Sequence, residues 1–149
     1  MSTKVDAVCL ALTALWTSAL TGIQVVDGPQ ANSEAVIDCL FVGADGDTPN
    51  EGNEAAAVDQ SWMAFAKVMQ ETAEITCAIV CRAGEPSISA VRARAYSILA
   101  AAETALRADP LLGNLVMQAY VSEHQLIPVV TTSGAKARVV FKVTYQAQL

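Results

Sequence analysis

The chain is short, apolar and acidic: of its 149 residues 53% are hydrophobic and 16% charged, and its formal net charge is −6. This length suits one domain with a core of its own, and a charged fraction below the roughly 25% of soluble domains predicts that apolar surface is hidden in an assembly. The acidic balance argues against a broad phosphate-binding surface, and no apolar run approaches the ~20 residues of a membrane span.

The first predicted element is a helix over residues 3–21. Thr3 followed by Asp6 resembles a short capping box, and Gly22 follows the predicted end. Apolar residues that recur at helical spacing predict its core face. These residues are Val5, Val8, Leu12, Leu15, Trp16, Ala19 and Leu20.

The opposite face of this helix carries small residues and, past Asp6, no charge. A helix face that meets water normally carries polar or charged residues, although the high helix propensity of alanine can by itself account for the alanines. We expect this face to contact another subunit. The residues concerned are Ala7, Ala11, Ala14 and Ser18.

Strand signals at 24–27 and 35–42 predict one edge of a sheet. Residues 43–54 then hold three glycines, one proline and four acidic side chains without a basic residue, which predicts an exposed acidic loop. Asp45 and Asp47 are spaced like early EF-hand ligands, but the glycine between them and the following proline break the pattern, so no metal site is predicted. The four acidic residues are Asp45, Asp47, Glu51 and Glu54.

Two further strands are predicted at 58–68 and 71–82, and the second is apolar on both faces, which predicts a central position in the sheet. A second helix with a serine cap is predicted over 87–108, ended by a proline. Its predicted core residues are Val91, Ala95, Ile98, Leu99, Ala102 and Leu106. Small residues recur off this core face as well, so we expect subunit contacts at Arg92 and Ala101.

The last third predicts two long strands, 117–130 and 135–149, joined by a tight turn, with a bend or bulge at Pro128. The final strand alternates almost perfectly between apolar and polar residues. Its predicted core residues are Val139, Phe141, Val143, Tyr145, Ala147 and Leu149.

This order of elements predicts one α+β domain over residues 1–149, with a mainly antiparallel sheet of about six strands and two helices packed on one face. The other sheet face then needs water or a partner. Ala78, Val80 and Val140 are apolar residues on that face, and they predict partial cover by a neighbouring subunit.

Residues suited to catalysis do not form a recognisable set. His124, the one histidine, stands in a strand pattern without a nucleophile motif, and is expected at the surface or in an interface. Trp16 and Trp62 are expected to be core or rim anchors, and the cysteines, which lack zinc spacing, to be reduced buried thiols. These cysteines are Cys9, Cys39, Cys77 and Cys81. We predict no enzymatic activity, no cofactor and no metal.

Several of these features together resemble the tail terminator proteins of long-tailed phages, particularly those that infect actinobacteria. In the first half they are a helix with Trp16, the segment Val25-Val26-Asp27-Gly28-Pro29, the acidic Asp45-Gly46-Asp47 loop and Trp62. In the second half they are an Arg92-x-Arg94 helix, the segment Leu106-Arg107-Ala108-Asp109-Pro110-x-Leu112-Gly113, and a closing strand Val-x-Phe-x-Val-x-Tyr-x-Ala over residues 139–147.

The resemblance implies a structural virion protein, assembled in the host cytoplasm and located at the neck of the tail. It implies a homohexameric ring that caps the head-proximal end of the tail tube, ends tube polymerisation and joins the tail to the head-neck connector. Genomic DNA would pass through its lumen without specific binding. In such a ring the acidic loop, with Asp45, Asp47, Glu51 and Glu54, would line the lumen and repel phosphates, or would contact a neighbouring component.

Two other functions fit the same residues. A head-tail connector or stopper is also a small ring-forming protein, and binding to the portal before the tube would distinguish it. A small enzyme or ligand-binding α+β domain would use the open sheet face as a pocket.

Overall fold

The computed structural model describes residues 3–29, 38–46, 54–63, 67–132 and 134–149 of the protein. In chain order its elements are α1 (Val5–Ala19), β1 (Gln24–Asp27), β2 (Asp38–Val42), β3 (Ala56–Met63), β4 (Val68–Ala83), α2 (Ile88–Ala108), β5 (Gln118–Thr131) and β6 (Gly134–Gln148). The six strands form one sheet, so the predicted α+β class is confirmed.

The sheet has the order β1-β2-β4-β6-β5, and β3 pairs with β4 off this path. β6 pairs along most of β4, while β2 and β3 follow one another along the other side of β4. Only β1 and β2 pair in parallel, so the sheet is mainly antiparallel as predicted. β4 is central, as its two apolar faces indicate.

Both helices pack on one face of the sheet, and their apolar residues share one core with the alternating residues of β4 and β6. Trp16 of α1 joins the two helices, because its buried indole N–H donates to the carbonyl oxygen of Ala102 at 3.1 Å. The same indole meets Phe141 of β6 edge to face, with ring centroids 5.8 Å apart. The helix layer and the sheet are thus held together through one aromatic residue.

The helix predictions are confirmed in the core and corrected at the ends. All six predicted core residues of α2 are buried. α1 ends at Ala19, which is exposed instead of buried, and Lys4 instead of Thr3 occupies its N-cap without a side-chain cap. The cap is supplied from the sheet: Glu71 of β4 accepts a hydrogen bond from the Lys4 backbone amide at 3.0 Å.

Two strand predictions are wrong in detail. The break between the third and fourth strands was predicted near residues 69–70, but β4 begins at Val68, and Lys67 ahead of it has a positive φ of 49°. The bulge predicted at Pro128 lies between Val121 and Glu123 instead, and Pro128 pairs regularly with Ala137 on an edge strand where its missing N–H costs no ladder bond.

The sheet face opposite the helices, called the bare face below, is partly covered by the protein itself. Ala78 and Val80 are buried there with Cys39 and Phe41 of β2, and Ala44 and Val140 pack against them. Gly46 lies so close that a Cβ atom on it would stand 3.0 Å from side-chain atoms of both Ala78 and Val80. The cover expected from a neighbouring subunit at Ala78 and Val80 therefore comes from this chain.

Candidate interaction surfaces

The third strand, called the arm below, projects beyond the helix layer. Among the described strands it pairs only with β4, and none of its residues is buried. Trp62 is 67% exposed, and Val58 and Met63 are exposed as well. Trp62 and Val58 pair with Met69 and Ala73, so they stand on the helix side of the sheet, where neither is covered. These three residues form the arm patch, in which Met63, paired with Val68, stands on the bare face.

A groove lies at the opposite edge of the sheet from the arm, between the C-terminal end of α2 and the start of β5. It encloses about 320 Å³ and is lined by Leu106, Arg107 and Pro110 from the helix end and by Gln118 and Tyr120, among others, from the strand. Tyr120 is 46% exposed. In the connection that leads into β5, Met117 is 50% exposed and Leu111 is exposed too. The groove therefore has an apolar rim, and its charged lining residues are Arg107 and Glu103.

The arm patch begins at the level of the groove in the sheet. One row of paired residues crosses four strands, from Val58 to Ala73, then Tyr145, then Ala119. Val58 belongs to the arm patch and Ala119 lines the groove. Val58 and the groove are therefore at opposite ends of one row, while Trp62 stands four residues further along the arm, beyond the last pair of β4 and β6.

Exposed charges near these two surfaces differ in sign. Asp6, Glu54 and Asp59 are exposed on the arm side, with Lys67 as a basic residue at the end of the arm. On the groove side, Arg92 and Arg107 are exposed. Arg107 contacts Glu103 at 3.4 Å in an exposed i,i+4 pair, which leaves the guanidinium largely in solvent.

Arg92 and Arg107 lie on the flank of α2 that faces β5. Both fall on one helical stripe with Tyr96, four residues after Arg92. The Tyr96 ring meets His124 of β5 edge to face, with centroids 5.5 Å apart. His124 is exposed, at the surface as predicted.

The acidic loop is described only at its two ends. Asp45 is half-buried, because Arg138 of β6 donates to its carbonyl oxygen at 2.8 Å and lies 3.9 Å from its carboxylate. This corrects the expectation of a wholly exposed loop, and it fixes the start of the loop on the bare face. Glu54 is exposed, while Asp47 and Glu51 lie outside the described residues.

The bare face outside this covered region carries paired charges. Lys142 of β6 lies between Glu123 of β5 at 3.3 Å and Glu74 of β4 at 3.5 Å. The hydrogen bond and charge of Glu123, followed by the charge of Glu74, raise the pKa of Lys142. Nearer the β5–β6 turn, Arg82 stands opposite Lys136 and both line a second cavity, of about 450 Å³.

The helix residues predicted to contact a neighbouring subunit are only partly at the surface. Ala14 and Ser18 of α1, and Arg92 and Ala101 of α2, are exposed. Ala7 and Ala11 are half-buried, and Ala11 packs against the protein's own core. Their role between subunits stays a prediction.

Glu71 is the one buried carboxylate among the described residues. Besides the Lys4 amide, it accepts hydrogen bonds from the Tyr145 hydroxyl at 2.5 Å and from the Gln60 side chain at 2.7 Å. Burial alone would raise the pKa of Glu71, but these bonds, with one from Thr3, outweigh it and lower the pKa. The carboxylate therefore stays ionised at neutral pH and supports structure.

The cysteine prediction is confirmed in that all four thiols are free, three of them buried and Cys9 half-buried. Burial raises the pKa of Cys9 and Cys39 to about 11 and that of Cys77 and Cys81 to about 12. A thiol with so high a pKa is a poor nucleophile at neutral pH.

Within the described ranges, no group of three or more histidine, cysteine, aspartate or glutamate side chains is arranged to hold a metal ion. No helix among them is long and apolar enough to cross a membrane.

Sequence reasoning did not find the arm patch, the groove or the role of Glu71. The arm lacks the clean alternation that would show which of its residues are buried. The groove joins residues from two elements, and Glu71 depends on partners far away in the chain, so neither leaves a local signal.

These features define a single-sheet α+β domain that carries unlike apolar surfaces at the two edges of its sheet. No protein-family model matches the chain, and a search of curated proteins returns no significant relative.

Proposed function

We propose that this protein is a structural component of a long-tailed phage, a tail terminator that forms a ring on the head-proximal end of the tail tube. The observation that carries the proposal is the pair of unlike apolar surfaces, the arm patch and the groove, at opposite edges of one sheet. A closed ring needs two different complementary surfaces on each subunit, because each copy meets its two neighbours through different sides. A homohexamer is the state that the family resemblance implies.

Surface composition supports the same proposal. Large apolar side chains such as Trp62, Met117 and Tyr120 are exposed on the two sides, and a monomer in water gains nothing by exposing them. Past Asp6, the exposed face of α1 has no charged residue. Both features suit a protein that is surrounded by partners in its working state.

The start of the acidic loop supports a particular orientation. Arg138 holds Asp45, the first acidic residue of the loop, on the bare face. If the loop lines the lumen, the bare face is turned towards the ring axis and the helices are turned outwards. In this orientation Lys142 would approach passing DNA already neutralised by Glu74 and Glu123.

Deletion of the gene from its phage tests the proposal. The loss of a terminator leaves the tube free to keep polymerising, so we expect overlong tails without heads in electron micrographs. Adding back the purified protein should cap purified tubes at the length reached when it is added. Tails of normal length after deletion would contradict the proposal.

The same purified protein separates the terminator from a head-tail connector. A terminator binds the end of isolated tail tubes in the absence of heads, whereas a connector binds the portal complex first. Light scattering gives the mass of the protein alone and with tubes. A chain that stays monomeric even on tubes would contradict ring formation.

A further inference from the structure

The proposed ring leaves open which surfaces of neighbouring copies meet, and the positions of the arm patch and the groove answer this. They lie at opposite edges of the sheet, and the row of paired residues from Val58 to Ala119 connects these two edges. Copies that stand side by side in one orientation therefore bring Val58 of one copy to the level of the groove of the next. Trp62, four residues further along the arm, then lies at the level of the connection into β5, where Leu111 and Met117 are exposed.

We propose that the arm patch of one copy, with Trp62 at its centre, binds the groove between α2 and β5 of the next copy. This inference rests on the proposed ring and names its subunit contact. The occupant of the groove is thus a second copy of this chain, and every copy uses its arm on one side and its groove on the other.

The shapes of the two surfaces agree with this contact. Trp62 projects from the helix side of the arm, and the groove opens beside α2, also on the helix side of the sheet. The groove, of about 320 Å³, has room for a large aromatic side chain beside Leu106 and Pro110, whereas the side chain of Tyr120, which pairs with Thr144, stands on the bare face. Tryptophan is the residue most often found at the energetic centre of an interface, in a well-packed pocket of this kind.

The charges agree as well. Asp6 and Glu54 on the arm side would approach Arg92 and Arg107 on the groove side, where half-buried Glu103 is already paired with Arg107. Arg107 lines the groove itself, so its guanidinium can lie over the face of the bound indole in a cation–π contact. Opposite charges at the two sides guide association and disfavour contacts between like sides.

Strand directions are also compatible. β3 is antiparallel to β4, β4 to β6, and β6 to β5, so β3 runs opposite to β5. In neighbouring copies of one orientation, the arm therefore runs antiparallel to β5 of the next copy. An edge strand without proline, such as β3, can approach another edge in this way.

Two variants test the contact. In Trp62→Ser the arm loses its largest exposed side chain, and in Arg107→Glu the groove loses its basic lining residue and gains a second carboxylate beside Glu103. Both residues are exposed, so the fold should survive, and an unchanged far-ultraviolet circular dichroism spectrum reports this. We expect each variant to weaken assembly by about 30-fold, the effect of losing a hot-spot residue. The matched control is Val129→Ser, which removes a side chain 46% exposed at the far end of β5.

Mixing the two variants distinguishes this contact from a symmetric one. The Trp62→Ser copy has an intact groove and the Arg107→Glu copy an intact arm, so together they should form one-to-one pairs that cannot close a ring. Light scattering measures the mass of the mixture. Assembly of Arg107→Glu alone to the wild-type size would indicate an arm-to-arm contact and would overturn the proposal.

A photo-crosslinker in place of Trp62 tests the contact directly, even when assembly is weak. Mixed nitrogen-15 and unlabelled copies identify crosslinks between subunits by mass spectrometry, and we expect these in residues 103–121 of the second copy. The same crosslinker at position 129 is the control. Rings or tube caps of normal mass from Trp62→Ser would overturn this inference and leave the proposed function standing, while a wild-type chain that assembles under no condition would overturn both.

Discussion

Glu71 accepts a hydrogen bond from the backbone amide of Lys4 at 3.0 Å, so a buried strand carboxylate caps the first turn of a helix whose N-cap residue lies 67 residues earlier. The amides at a helix N-terminus lack intrahelical partners and carry a partial positive charge, which a carboxylate stabilises. Gln60 and Tyr145 bind the same carboxylate from β3 and β6. One side chain thus fixes the start of α1, the arm and the closing strand relative to one another.

Replacing Glu71 with glutamine should destabilise the protein by about 2 kcal/mol at pH 7, because hydrogen bonds to a charged group become bonds to a neutral one. The midpoint of urea denaturation measures this effect. Glu85→Gln is the matched control, since Glu85 is an exposed glutamate ahead of α2 and its loss should leave the midpoint within experimental error. Equal midpoints for Glu71→Gln and wild type would contradict the capping role.

The same pair of proteins should differ in acid. The folded state lowers the pKa of Glu71 below its ordinary value of 4.5. A lowered pKa contributes stability that is present above pH 4.5 and is lost as the pH falls through the folded pKa. The stability difference between wild type and Glu71→Gln should therefore be constant near neutrality and shrink below pH 4.5. A difference that grows in acid would mean that the folded pKa is raised.

A substitution at Gly46 should show how closely the loop start packs on the bare face. Gly46 has a φ of 72°, and a Cβ atom there would stand 3.0 Å from Ala78 and Val80. Gly46→Ala adds both backbone strain and crowding, for which we expect a loss of about 2–4 kcal/mol. Thermal unfolding measures the loss.

The control for Gly46 is Gly28→Ala. Gly28 has a similar φ of 87°, but nothing lies within 4 Å of a Cβ atom placed on it. It should cost only the backbone strain of about 1–2 kcal/mol. The difference between the two variants isolates the crowding, and equal losses would mean that the loop start is not packed against β4.

The four thiols should react slowly with Ellman's reagent at pH 8. Burial raises the pKa of Cys77 and Cys81 to about 12 and that of Cys9 and Cys39 to about 11, so few thiolates exist at this pH. Half-buried Cys9 should react first, and a Cys9→Ser variant should lose this first phase. All four thiols should react promptly in denaturant. If the native Cys9→Ser variant still contains a fast-reacting thiol, the buried positions of the other three cysteines are contradicted.

A sequence pattern predicts a structural feature best when the residues that determine the feature are close together in the chain. The core of α2 was correctly predicted because six apolar residues keep helical spacing, and β6 because its alternation is nearly perfect. The break before β4 was misplaced because Lys67 adopts a positive φ without a glycine to mark it. Glu71 could not be predicted, since its partners lie 67, 11 and 74 residues away and only the fold brings them together.

The acidic loop offers a test of which face of the protein turns towards the DNA. Replacing Asp45, Asp47, Glu51 and Glu54 with serine changes the net charge of each copy from −6 to −2. If the loop lines the lumen, the loss of repulsion lets phosphates linger, so DNA ejection from otherwise normal virions should slow. Triggered ejection, followed with a DNA-binding dye, measures the rate.

A second loop variant separates charge from structure. Asp45 alone is held by Arg138, so a triple serine variant that retains Asp45 keeps the start of the loop in place. It should slow ejection nearly as much as the full variant, and added salt should reduce the effect of both because it screens exposed charges. An unchanged ejection rate with the triple variant would mean that the acidic residues point away from the channel, and the bare face would then be the surface that meets the tube or the connector.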